Sequence, residues 1–161
     1  MSELAPFIVP AGEGTPLWYR GTLMTVKAKA DTTGGTITVI EHAMPAGFAA
    51  PPHTHHAEDE PWYVLEGHVR FFCQDQAFDA EPGAFIFLPK DVTHSFRVDE
   101  SAPARMLLMG VPGGIERYFA EAGEPAVERT LPPPPGPPDM DRLRPLARRY
   151  GIELLGGPTP H

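Results

Sequence analysis

The chain has 161 residues, with 13 Lys and Arg against 21 Asp and Glu, a formal net charge of -8 and one cysteine. That length suits one domain with a sizeable core and is short for two ordinary ones. The acidic balance is spread along the chain, which argues against a nucleic-acid or anionic-membrane partner and favours a small-molecule one.

The opening MSELAPFIVP carries neither a basic leader nor an apolar segment of signal-peptide length. No run approaches a membrane span, so the expected compartment is the cytoplasm. In chain order, 21 prolines and 16 glycines cut the sequence into short β-branched and aromatic runs, the pattern of an all-β sandwich or barrel. Strands are predicted near residues 17–28, 36–43, 62–73, 84–88, 94–98 and 105–111, with breaks at 34–35, 45–52, 74–76, 81–83 and 99–103. Cys73 has no partner for an intramolecular disulfide and lies in the apolar run VRFFC, where a buried structural thiol is expected.

After residue 111 the texture changes. IERYFAEAG predicts a short helix over 115–122 with Gly123 as its cap. LPPPPGPP, residues 131–138, reads as an extended polyproline-like connector, a candidate strap over the barrel or a partner copy. DMDRLRPLARRYG predicts a helix with Asp139 as N-cap and Gly151 as stop, kinked or split at Pro145. Its four arginines read as a solvated face, and the final GGPTPH, His161 included, as a loose tail. The chain therefore divides into N-terminal strands and arm over 1–33, a β-barrel over 34–111 and a helical, proline-rich extension over 112–161.

The chemistry concentrates between Gly47 and Gly67, in GFAAPPHTHHAEDEPWYVLEG. Imidazoles and acids at this density beside apolar strands are costly to bury unless something binds them together. His53 and His55 are two apart, so on an extended strand they project to one face. Glu60 can return from the following turn, and His94 opens a distant strand, HSFRV. Three imidazoles and a carboxylate suit a first-row divalent ion. Six-coordinate geometry would leave two positions open. His56 alternates to the other face, and Glu58 and Asp59 read as loop acids. His42 and His68 read as single surface or hydrogen-bonded imidazoles. Trp62 shares strand parity with Glu60, and Phe96 with His94, which aims both into the barrel as core or substrate-pocket residues.

These residues resemble the two motifs of the cupin superfamily. Gly47, His53, His55, Glu60 and Gly67 fit the first, and Gly83, Pro89 and His94 the second. Two positions depart from it: Asp91 stands where the family has glycine, and Val98 where it has asparagine. The segment GVPGGIERYFAEAGEPA is similar to the stretch that follows the barrel in bacterial single-cupin quercetin 2,3-dioxygenases. The resemblance implies a jelly-roll β-barrel holding one divalent metal ion (Fe, Mn, Ni, Co, Cu or Zn) on His53, His55, Glu60 and His94, and a homodimer. It also implies a metal-dependent dioxygenase acting on a flavonol-like or enolisable aromatic substrate, with Glu60 as general base. Two alternatives stay open: a metal-dependent polyketide cyclase or isomerase, and a non-catalytic small-ligand binding cupin.

Overall fold

The computed structural model describes residues 3–161, so Met1 and Ser2 of the expected arm lie outside it. The elements run β1 (Thr15–Tyr19), β2 (Thr22–Ala28), α1 (Ala30–Thr33), β3 (Thr38–Met44), β4 (Ala49–His55), β5 (Glu60–Glu66), β6 (Val69–Cys73) and β7 (Gln76–Ala80). They continue with β8 (Phe85–Leu88), β9 (His94–Val98), β10 (Ala104–Gly110), α2 (Glu116–Ala122), β11 (Glu124–Pro125), α3 (Met140–Arg149) and β12 (Ile152–Leu154). Two antiparallel sheets form, one of order β11-β1-β2-β3-β10-β5-β8 and one of order β12-β4-β9-β6-β7. They enclose one core, to which Met24, Ile40, Met106 and Leu108 come from the first sheet and Phe71, Phe96 and Val98 from the second. This is the expected all-β jelly-roll barrel with short helices.

Differences from the sequence reading have local causes. The run over 17–28 folds back at Arg20 and Gly21, both at positive φ, as a tight hairpin requires. The run over 62–73 is two strands in different sheets, and the chain turns the corner at Gly67. A Cβ there would sit 2.5 Å from the Pro103 carbonyl oxygen, so only glycine fits. The stretch over 45–52, read as a break, contains the start of β4, and β7 was not anticipated at all. Cys73 is half-buried.

The C-terminal extension is integral to the barrel. α3 runs unbroken through Pro145, because Leu143, Leu146 and Ala147 are buried on one side of it and anchor both halves. β12 then pairs with β4, placing Ile152 opposite His55 and Leu154 opposite His53. The final residues are not loose: Thr159 is buried, donates through Oγ1 to the Ala50 carbonyl and accepts from Arg97 through its own carbonyl. The proline strap lies over the β1–β2 hairpin, where a Cβ on Gly21 would approach Pro135 Cδ to 2.7 Å. Among the described residues, no helix is long and apolar enough to cross a membrane.

Candidate metal centre

Two consecutive prolines set the site. Pro51 and Pro52 lack an N–H and interrupt the ladder between β4 and β9. Pairing resumes one residue out of step, with Ala50 opposite Phe96 but His53 opposite His94. Directly opposed residues of an antiparallel pair share a face. The bulge therefore carries His53 to the side of His94, and their ring centroids are 4.4 Å apart. His55 shares that face, its ring parallel to His94 at 5.6 Å. Glu60 opens β5 in the opposite sheet and is buried in alternation with Trp62 and Val64. His53, His55, Glu60 and His94 each offer a ligand atom, and all four atoms lie within 4.8 Å of one another.

The hydrogen bonds behind the rings fix which nitrogen faces the cluster. Nδ1 of His53 meets the Pro51 carbonyl at 2.7 Å, and Nδ1 of His94 meets the Val92 carbonyl at 3.3 Å. A carbonyl only accepts, so each Nδ1 carries the proton. Nδ1 of His55 meets Glu58 Oε1 at 2.6 Å and donates likewise. All three Nε2 atoms are thereby left with bare lone pairs. Glu60 Oε2 lies 3.0 Å from His94 Nε2 and 3.2 Å from His55 Nε2. Yet Glu60 Oε2 and His94 Nε2 are buried with no hydrogen-bond partner. Converging lone pairs around a buried carboxylate are unfavourable unless a cation joins them, so these residues fit a divalent transition ion.

The charges say the same. Burial works against a proton on His55, but the Glu60 and Glu58 carboxylates outweigh it and raise its pKa. Burial holds His53 down to about 3, helped by the neighbouring imidazoles. The buried carboxylates thus call for compensating positive charge, which a proton on His55 supplies in part and a divalent ion more fully, in competition.

His53, His55 and Glu60 of the cluster line a cavity of about 300 Å³. Trp62 and Phe96 line it, at the parity read from their strands. So do Tyr118 and Phe119 from α2, Met140 from α3, and Arg144, which the sequence reading left on a solvated face. Asp91 occupies the position of the missing motif glycine at φ 65°, a conformation Asp tolerates better than most residues. Its N–H donates to the His55 carbonyl at 2.7 Å, and Lys90 N–H donates to Asp59 Oδ1, which ties the loop before His94 to the ligand turn.

Two site residues escaped the sequence reading. Glu58 lies in the loop between β4 and β5, as read, and outside the four-residue cluster, but it is buried and accepts from His55, a contact the sequence reading did not foresee. His42 is buried on the cavity wall. The alternation Thr38, Ile40, His42, Met44 in β3, all buried, would have placed it inward.

A barrel of two antiparallel sheets with three inward histidines and a glutamate defines a metal-site cupin architecture, and residues 39–110 match the Cupin domain family model. Residues 39–110 are a cupin domain. The chain is 30% identical over 138 residues to the quercetin 2,3-dioxygenase of Bacillus subtilis strain 168, an alignment that takes in 86% of this chain and 41% of that enzyme. The chain thus spans about two-fifths of that relative's length. Solved structures share the fold: KdgF from Halomonas sp. aligns with a TM-score of 0.60 at 15% identity, over 70% of this chain and 99% of its own. An RmlC-like cupin from Shewanella frigidimarina NCIMB 400 gives 0.58 at 14%, over 71% and 99%.

Proposed function

We propose that this protein is a metal-dependent dioxygenase acting on a flavonol-like or otherwise enolisable aromatic substrate, with one divalent ion held by His53, His55, Glu60 and His94. The observation that carries this reading is the convergence of three bare Nε2 atoms and a carboxylate in a cluster of which His53, His55 and Glu60 line an aromatic-walled cavity of about 300 Å³. Similarity to a quercetin 2,3-dioxygenase over most of the chain supports the choice of chemistry. When bound, the ion supplies Lewis acidity and access to dioxygen.

The side chains supply the rest. Phe48, Trp62 and Phe96 give flat apolar walls that orient a ring. Tyr118 and Phe119 of α2 and Met140 of α3 add further apolar lining, which limits water around reactive species. Glu60 lines the cavity and is placed to accept the substrate's hydroxyl proton. Burial pushes its pKa up, but the His55 and His94 imidazoles hold it at about 2.

The test is aerobic incubation of protein reconstituted separately with Fe, Mn, Ni, Co, Cu or Zn against a flavonol panel, following oxygen consumption and carbon monoxide release. Oxygen uptake with at least one metal is expected. Its absence with every metal overturns the reading, and turnover that continues without oxygen replaces it with the cyclase or isomerase.

A further inference from the structure

Two polar atoms on the cavity-lining residues lack any partner and belong to no metal-ligating group. They are Nδ1 of His42 and Nε1 of Trp62, both buried, on residues only 3% exposed. The two rings are neighbours, with centroids 6.1 Å apart and planes inclined at 33°. The tautomer of His42 follows from its other nitrogen. Thr22 donates its hydroxyl proton to the Tyr19 carbonyl at 2.6 Å, so towards His42 its oxygen accepts, and His42 Nε2 donates to it at 2.8 Å. Nδ1 is left with an unshared lone pair. Burial holds the ring's pKa at about 3 against the pull of Glu60, so the imidazole is neutral at ordinary pH. Trp62 Nε1 can only donate. Two neighbouring residues of the cavity lining thus carry one unshared acceptor and one unshared donor, beside apolar residues such as Met24, Phe48 and Leu108.

Buried polar groups without partners are rare and unfavourable, and at a ligand cavity the natural partner is the ligand. Resting on the dioxygenase reading of this same cavity, we propose that His42 and Trp62 are a hydroxyl-recognition pair. The substrate is then a polyhydroxylated aromatic that turns a second hydroxyl, other than the one at the metal cluster, to this wall. A hydroxyl donates to His42 Nδ1 and accepts from the Trp62 indole N–H. A carbonyl, ether or carboxylate only accepts and would leave His42 bare, and an ammonium only donates and would leave Trp62 unmatched. Specificity follows, because a site built to hydrogen-bond a hydroxyl rejects the analogue that lacks it.

The test is calorimetric titration of zinc-loaded protein, without oxygen, with quercetin, its singly deoxygenated and singly methylated analogues, and 3-hydroxyflavone. One deoxygenated analogue should bind about ten- to a hundredfold more weakly than quercetin. The His42→Phe protein should lose that preference, its affinity for quercetin falling by a larger factor than its affinity for 3-hydroxyflavone, and His42→Asn, which returns an acceptor oxygen near the Nδ1 position, should recover part of it. Trp62 gives a readout free of turnover and of any variant's folding. Its indole proton resonance should move downfield with quercetin, while that of Trp18, whose Nε1 already donates to the Thr130 carbonyl at 2.9 Å, should stay in place. No flavonol binding, equal affinities across the panel, equal losses for all ligands in His42→Phe, or an unmoved Trp62 signal would each overturn the pair. Oxygen consumption separates the two claims. Discrimination without oxygen uptake under any metal leaves the recognition pair and removes the dioxygenase, and uptake without discrimination does the reverse.

Discussion

His55 and His56 are adjacent in the chain and belong to two clusters that look alike on paper. His55 lies 2.6 Å from Glu58 and 3.2 Å from Glu60, and His56 lies 2.7 Å from Asp91 and 3.3 Å from Glu153. Each is one imidazole between two carboxylates. The difference is water: the side chains of the first cluster are 5%, 5% and 2% exposed, those of the second 47%, 62% and 52%. On the surface such pairs are screened and contribute little. In the barrel the same acids require a compensating positive charge. Strand alternation alone sends one histidine to each fate.

Removing a ligand should break this contrast most severely. His94→Ala or Glu60→Ala should lower zinc affinity beyond the roughly hundredfold that loss of a ligand's hydrogen-bonding neighbour costs. Metal content after dialysis and competitive titration measure it. The same proteins should lose the thermal stabilisation that excess zinc gives the wild type, about 2.7 kcal/mol at a hundredfold excess over Kd. If Glu60→Ala keeps full metal content and full turnover, Glu60 is neither ligand nor base.

A third histidine isolates burial from carboxylate contact. His42 is buried like His55 but touches Thr22 instead of an acid. Its folded pKa of about 3 lies below the 6.5 of an unfolded imidazole. Between those values the unfolded chain binds a proton that the folded one refuses, so stability is complete above about pH 6.5 and falls as pH drops towards 3. The loss is on the order of a few kcal/mol. Chemical denaturation of metal-free protein across that window should show a shallower acid limb for His42→Phe than for wild type. Equal slopes would mean that His42 is protonated in the fold.

How much of this was legible depended on what each residue needed to reveal itself. The candidate ligands could be read because period-two alternation and motif spacing are both local properties. The bulge that seats His53 opposite His94 was not, since Pro51 and Pro52 looked like a break when they only displace the register. Glu58 lies in the loop as read, but its burial against His55 follows from how that loop folds back, which no periodicity describes. The cavity's outer wall was hidden for a different reason. α2, α3 and β12 reach the barrel through contacts far apart in sequence, and composition showed only an appendage there.

Glu58 sits between the two clusters in expected effect. It holds the His55 ring by accepting from Nδ1, and its buried charge raises that ring's basicity. Glu58→Gln keeps the size and an oxygen acceptor while removing the charge, and should weaken zinc binding about ten- to a hundredfold. Because proton and metal compete for His55, the same change should also reduce the protons released on metal uptake, measured by titration in buffers of different ionisation enthalpy. Unchanged affinity and proton release would return Glu58 to a purely structural place.

The smallest effect belongs to His56. The hydrogen bond to Asp91, then that to Glu153, raises its pKa above the ordinary value. A raised folded pKa stabilises the fold fully only below the unfolded pKa, and that contribution disappears as pH rises through the folded value. His56→Ala should therefore shift Tm slightly at pH 5 to 6 and not at all at pH 9, with the shift shrinking as salt screens the exposed charges. Zinc affinity should match wild type throughout. A drop in metal affinity would show that the Asp91 contact supports the loop leading to His94, and the two clusters would then be mechanically joined through the backbone bond from Asp91 N–H to the His55 carbonyl.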